Sequence, residues 1–412
     1  GINKEYINTK VKNRSGCWRC PAACKGTLLQ GTDIYGYPAG AHRPEYEDLM
    51  TATSHLTGKK VNRFCNIHQS TGDLVKKTKM GRLLGMQTGC CFQRCVGMDT
   101  LNALSITTHN IDAKYKTQYN KRFLKYLEYV QENDLTCCGA MTDTKGDRSL
   151  APHQQKDPDM FLRVVEERKD GIVVCGNKDH QTGAVNSHEI ITMPTITMRE
   201  EDKDYAISFA IPSDTKGLIY IMGRQSCDTR KLEGMTIDRG NMHYGGHEAL
   251  VIFDRVFVPW ERVFMYKEYE FSTQLVENFA AYHRQSYACK VGVGDVLIGA
   301  TQTAAEYNGV DKASHVKDKI VEMNHLNETL FCGCIACAAE GHREPCGTYL
   351  VDVLLANVHK QNVTRFPYEI ARLSQDIAGG LMVTCPSAQD LASPDVGKWL
   401  SLIHISEPTR PY

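Results

Sequence analysis

The hydrophobic period of this chain changes twice, and that pattern limits it to few architectures. From about Tyr46 to Cys138 apolar residues recur at helical spacing, as Phe123, Tyr126, Leu127 and Val130 do. Such residues share one face of a 3.6-residue helix. From Gly139 to about Met265 the texture becomes short, β-branched segments bounded by Gly, Pro, Asp or Asn. Ile172–Cys175, Ala206–Ile211, Leu218–Ile221 and Ala249–Phe253 are of this kind, and they predict a small barrel or sandwich. Past Tyr269 the helical period returns through Val291–Tyr307, Lys317–Glu340 and Tyr349–Gly379. The expectation is an α+β protein with a helical domain over 46–138, a middle β domain over 139–268 and a second helical domain over 269–400.

A chain of 412 residues buries a large core. Its 48 basic and 48 acidic side chains balance, with no basic stripe, which argues against a nucleic-acid partner. No apolar run reaches membrane-spanning length, and no signal peptide opens the sequence. The chain is therefore expected in the cytoplasm, off membranes. Its seventeen cysteines then read as reduced thiols, in the core or on metal, rather than as a disulfide framework.

Two segments concentrate ligand chemistry. The first is Gly89-Cys90-Cys91-Phe92-Gln93-Arg94-Cys95-Val96-Gly97-Met98-Asp99. Cys91 and Cys95 are four apart, which on a helix sets them on one face, one turn from each other; Cys90 falls off that face. The second is Tyr282-His283-Arg284-Gln285-Ser286-Tyr287-Ala288-Cys289-Lys290. Three thiolates and one imidazole make a shell suited to an iron–sulfur cluster. His283 and Cys289 are six apart, about 120° from a common face on an ideal helix. A bulge, frequent at functional sites, would restore the alignment. The plainer readings stand beside these: packed thiols, a satisfied core histidine, a core Tyr287, a solvated Lys290 and a strand-end Glu248. No GxGxxG follows a strand, so a Rossmann site is not indicated. Gly379-Gly380 reads equally as a helix end.

Both segments closely resemble the 4-hydroxybutyryl-CoA dehydratase (vinylacetyl-CoA isomerase) family. So do Gly223–Lys231 and Gln375-Asp376-Ile377-Ala378-Gly379-Gly380-Leu381. The likeness runs from about Tyr46 to about Pro394. The wider group includes 4-hydroxyphenylacetate 3-hydroxylase. The resemblance implies an acyl-CoA-dehydrogenase-like fold: N-terminal helical domain, middle β-barrel and C-terminal helical domain. It implies a 4Fe–4S cluster on Cys91, Cys95, His283 and Cys289, with His283, Tyr287, Glu248 and Lys290 at active-site positions. It implies FAD beside Thr182 in His180-Gln181-Thr182-Gly183, with Arg148 near flavin or substrate. Gln375, Gly379 and Gly380 would reach the dinucleotide of a neighbouring subunit in a homotetramer.

The implied reaction is dehydration of 4-hydroxybutyryl-CoA to crotonyl-CoA, with isomerisation of vinylacetyl-CoA. The C3 hydrogen is not acidic. A transient one-electron oxidation of the substrate makes it so, and iron assists departure of the C4 hydroxyl as a Lewis acid. Family members carry one more residue between the positions of His283 and Cys289, so Cys289 and Lys290 lie beyond that difference. The alternatives are a cluster-free, FAD-dependent monooxygenase and an inactive iron–sulfur binding subunit.

The ends carry different signals. Gly16–Cys24 resembles the cluster segment of tungsten aldehyde ferredoxin oxidoreductases. Cys17, Cys20 and Cys24 have cluster-like spacing but need a fourth ligand. Ser401–Tyr412 resembles the translation of a sequencing adapter. The expectation is an atypical segment over 1–45, either a foreign front end or a second cluster site, an artefactual tail over 401–412, and a truncated helical domain without the family's C-terminal carboxylate. Such a chain is expected to be inactive.

Overall fold

The structure, a computed structural model, describes residues 46–223, 248–380 and 384–403. Cys17, Cys20 and Cys24, residues 224–231 of the third matching segment, and 404–412 of the tail lie outside the described residues. Four helices open the described chain: α1 (Glu47–Met50), α2 (Thr71–Thr88), α3 (Cys95–Tyr115) and α4 (Tyr119–Glu132). A short hairpin, β1 (Thr51–Thr53) with β2 (Lys60–Asn62), follows α1. The face of α4 carrying Phe123, Tyr126, Leu127 and Val130 is buried, as its spacing predicts. Phe123 meets Phe264 of the sheet edge-to-face at 5.8 Å, which seats the helix on the β layer.

The strands form two four-stranded sheets. One has the order β10 (Val263–Tyr266), β7 (Ile207–Pro212), β6 (Glu189–Thr192), β3 (Cys137–Ala140). The other has the order β4 (Arg163–Arg168), β5 (Gly171–Thr182), β9 (Glu248–Pro259), β8 (Leu218–Met222) and is antiparallel throughout. They share one core, in which Phe209 of β7 meets Phe253 of β9 edge-to-face at 6.1 Å. Among the described residues they do not close into the expected barrel, because each sheet keeps its own two edge strands.

Helices return after β10: α5 (Phe271–Gln285), α6 (Ala288–Tyr307), α7 (Ser314–Ala339), α8 (Val353–Val363), α9 (Phe366–Ala378), α10 (Ala388–Ala392) and α11 (Gly397–Ile403). The apolar stretch Tyr349–Gly379 is not one helix. Its first residues form β12 (Tyr349–Leu350), paired with β11 (His342–Arg343). Asp352 then caps α8, its carboxylate accepting from Leu355 N at 2.7 Å. Proline in the first turn of α9 forces the restart. Among the described residues no helix is long and apolar enough to cross a membrane.

Helices α2 and α6 cross at backbone contact. A Cβ at Gly85 would stand 2.2 Å from the Cys289 carbonyl oxygen, and one at Gly292 would stand 2.0 Å from that of Arg82. Two glycines therefore set how near Cys289 comes to the loop after α2. Gly85→Ala is expected to push the helices apart and cost about 1–3 kcal/mol, the usual overpacking penalty. A urea unfolding curve with an unchanged midpoint would contradict this.

Candidate active site

The site lies where the loop between α2 and α3 meets the junction of α5 with α6. Gly89 ends α2 in the left-handed region at φ 60°. Gln93 repeats that conformation at φ 59° although it carries a side chain. Cys91 therefore sits in the loop, and Cys95 is the first residue of α3. The two do not share a helix face; the loop folds Cys91 back to Cys95. The six-residue separation of His283 and Cys289 is resolved by an interruption. Helix α5 stops at Gln285 and α6 restarts at Ala288. Tyr287 N bonds to Arg284 O at 3.3 Å and Lys290 N to Tyr287 O at 2.8 Å, a tightened i→i−3 pattern that rotates Cys289 relative to His283.

These segments bring three sulfurs together. Cys91 is hydrogen-bonded with Cys289 and Cys95. Those two bonds, helped by the Gln93 backbone N–H and Lys290 against the effect of burial, hold the Cys91 thiol well below its ordinary range. The same bonds, together with burial, push the Cys95 and Cys289 thiols up. Cys91 is thus the most readily ionised of the three sulfurs.

The imidazole of His283 completes the group. Cys95, Asp99 and His283 each offer a ligand atom within 4.8 Å of the others. The His283 ring stacks on Phe279 at 5.4 Å with planes 9° apart, and Tyr287 meets it edge-on at 5.3 Å. Burial, then the Cys95 and Cys289 sulfurs, push the Tyr287 hydroxyl up to about 12. His283 Nδ1 lies 3.0 Å from Asp99 Oδ2. Asp99 has no exposed surface and also meets Lys77 Nζ at 2.8 Å. Ser286 Oγ, with one proton to donate, lies 3.0 and 2.9 Å from its two oxygens. Burial pushes the Asp99 carboxyl up, but Lys77 and His283 outweigh it and leave it below the ordinary value.

The β side supplies a second wall. In the register of β5 and β9, Thr182 lies opposite Glu248. Thr182 Oγ1 donates to Glu248 Oε2 at 2.8 Å, and Gln93 Nε2 donates to Oε1 at 3.2 Å. Gln93 thereby ties the cysteine loop to the strand ends. Burial raises the Glu248 carboxyl above its ordinary value, against the bond from Thr182.

Of the residues expected at the site, Cys91, Cys95, His283, Cys289, Tyr287, Lys290, Glu248 and Thr182 fall around this group. Arg148 is exposed and makes no ion pair among the described residues. Gln375, Gly379 and Gly380 are exposed at the end of α9. A Cβ at either glycine would meet nothing within 4 Å. Sequence reasoning missed Gln93, Asp99, Ser286 and Lys77. The first three lie inside the two ligand segments, Asp99 one turn beyond Cys95. Lys77, in α2, carries no such signal.

The chain matches the family models described as 4-hydroxyphenylacetate 3-hydroxylase N terminal, over residues 35–265, and C terminal, over 272–406. It is 65% identical over 358 residues to the 4-hydroxybutyryl-CoA dehydratase/vinylacetyl-CoA-Δ-isomerase of Clostridium aminobutyricum, covering 86% of this chain and 73% of that one. The chain belongs to the 4-hydroxybutyryl-CoA dehydratase family. Among solved structures it is similar to an oxygen-tolerant archaeal 4-hydroxybutyryl-CoA dehydratase from N. maritimus. There the TM-score is 0.86 and identity 51%, over 96% of this chain and 80% of that one. Glutaryl-coenzyme A dehydrogenase shares the fold alone: TM-score 0.57 and 13% identity, over 98% of this chain and 96% of that one. An acyl-CoA-dehydrogenase-like arrangement of helices and sheet is therefore correct at the level of the fold.

The raised Glu248 carboxyl yields a prediction. The folded chain binds that proton more tightly than the unfolded chain, so ionised Glu248 costs stability as pH rises above its ordinary value of 4.5. Glu248→Gln removes the cost. Relative to the native protein, the variant should gain stability between about pH 4.5 and about pH 7. Urea unfolding at both values measures the difference, and a gap that does not change with pH would contradict the assignment.

Proposed function

We propose that this chain dehydrates 4-hydroxybutyryl-CoA to crotonyl-CoA and isomerises vinylacetyl-CoA, using FAD and a 4Fe–4S cluster. The observation that carries the reading is the convergence of Cys91, Cys95 and Cys289 with His283 beside the Thr182–Glu248 wall. A flavin monooxygenase has no use for three such sulfurs. The 65% identity to the clostridial enzyme supports the same choice.

The donor set fits the cluster: three soft sulfurs and an imidazole, with Cys95 and Cys289 buried and Cys91 and the His283 ring half-buried. The wall fits a flavin edge, which alternates acceptors and donors, because it sets a hydroxyl of Thr182 and a carboxyl of Glu248 side by side. The bare glycine pair at the end of α9 fits approach by the dinucleotide of a neighbouring copy in a homotetramer. When bound, the cluster supplies a Lewis acid for the C4 hydroxyl and the flavin a one-electron acceptor.

The chain's own groups do the rest. His283, with Nδ1 engaged by Asp99, keeps Nε2 for a ligand or a proton. Tyr287, its hydroxyl pushed up to about 12, stays a hydrogen-bond donor at neutral pH. Lys290 places positive charge near Cys91. Glu248, held by Thr182 and Gln93, is oriented as an acid–base group. Arg148 belongs at the outer edge of the flavin or substrate region. The chain acts in the cytoplasm, and the divisions 46–138, 139–268 and 269–400 describe its units.

Anaerobic purification tests the reading. The chain should carry iron, acid-labile sulfide and FAD, and should form crotonyl-CoA from 4-hydroxybutyryl-CoA when expressed with a family C-terminal region that supplies the expected carboxylate. Cys95→Ala should lose most iron and sulfide. Iron-free protein that hydroxylates a phenol with reduced flavin and oxygen would overturn it.

A further inference from the structure

We propose that Asp99, braced by Lys77 and Ser286, positions His283. It accepts the Nδ1 proton, locks one tautomer and one ring orientation, and leaves Nε2 alone to act at the site. The inference rests on the functional reading above for what Nε2 serves, but not for the lock itself.

Both carboxylate oxygens are engaged. Oδ1 faces Lys77 Nζ at 2.8 Å and Oδ2 faces His283 Nδ1 at 3.0 Å, while the one Ser286 hydroxyl lies 3.0 and 2.9 Å from the two oxygens. An ionised carboxylate only accepts. The proton in the Asp99–His283 bond therefore sits on Nδ1. Turning the carboxylate would break bonds to α2 and to the end of α5, so its direction is set by two other elements. The ring is held on one face by Phe279 and edge-on by Tyr287. Asp99 has no exposed surface, whereas the His283 side chain keeps 26% of its own. The part of the ring not facing Asp99 is thus within reach of a ligand.

Lys77 has a separate task. It is 2% exposed and also donates to Tyr282 O at 2.9 Å. Its contact with Oδ1 fixes the carboxylate from the side of α2, which leaves Oδ2 turned to the His283 ring. Stability does not require the pair. Buried ion pairs are often matched or bettered by apolar residues of similar volume. A positioning role accounts for its presence where a stabilising one does not.

The test uses the full chain. In 15N-histidine-labelled protein without cofactors, the His283 signals, assigned by their loss in His283→Gln, should report one Nδ1-protonated tautomer. Asp99→Leu with Lys77→Met replaces the pair by apolar groups and should give a mixture of tautomers. Asp99→Asn with Lys77→Met keeps an oxygen acceptor and should restore the single tautomer. In cofactor-loaded protein the leucine pair should lower kcat by about 10–100-fold, with KM little changed, while the asparagine pair keeps most turnover. A leucine pair with the native tautomer and native kcat would overturn the proposal. If that variant does not fold, Asp99→Ser with Lys77→Met poses the same question, because serine is too short to reach Nδ1, and a retained native tautomer again overturns it. Failure of the functional reading shows separately, as native protein that binds no iron yet holds the single tautomer.

Discussion

A carboxylate with no solvent contact holds this site together. Asp99 draws bonds from Lys77 in α2, from His283 in α5 and from Ser286 just beyond it, so three segments far apart in sequence meet at one side chain. Removing a single partner from such a cluster strands a buried charge, which costs about 3–5 kcal/mol. The cluster is therefore all-or-none. Either the ends of α2, α3 and α5 are in register, or the carboxylate is unsatisfied. That requirement places Cys95, one turn before Asp99 on α3, against His283.

A second constraint acts on Cys289. The close crossing of α2 and α6 at Gly85 and Gly292 carries Cys289 against the end of α2, from which the Cys91 loop departs. The loop's own geometry rests on Gly89 and on Gln93, a non-glycine residue in the left-handed region. Gln93 does not leave that strain uncompensated: its side chain bonds Glu248 and its backbone N–H bonds Cys91. Sparsely populated backbone states of this kind cluster where function needs them. Here one strained residue joins the sulfur group to the strand ends.

This division explains what was legible in the sequence. The alternation of helical and strand texture was readable, because Phe123, Tyr126, Leu127 and Val130 obey one period and Ile207–Pro212 another. The ligand candidates were readable because soft donors are rare residue types in tight spacing. Their geometry was not. Spacing suggested that Cys91 and Cys95 share a helix face, whereas Cys91 lies in a loop. Spacing set Cys289 off the His283 face, and the break after Gln285 answers that with a local turn pattern no period encodes. Whether the sheets close was not legible, because strand-like segments say nothing about how many edges remain open and so leave barrel and sandwich alike possible. Lys77 was invisible for a plain reason: a lysine on a helix reads as solvated unless its buried partner is known.

The arrangement of protons follows from the same burial. Three thiolates packed together without metal would repel one another in a poorly solvated space. The chain lessens this by making the three thiols unequal. Bonds from Cys289 and Cys95, helped by the Gln93 N–H and Lys290, make Cys91 the most readily ionised, while the same bonds and burial push Cys95 and Cys289 the other way. Soft metal binding displaces protons from thiols. The sulfur bonds hold the three ligand positions together ahead of that exchange, and the imidazole, its Nδ1 engaged by Asp99, is oriented beside them.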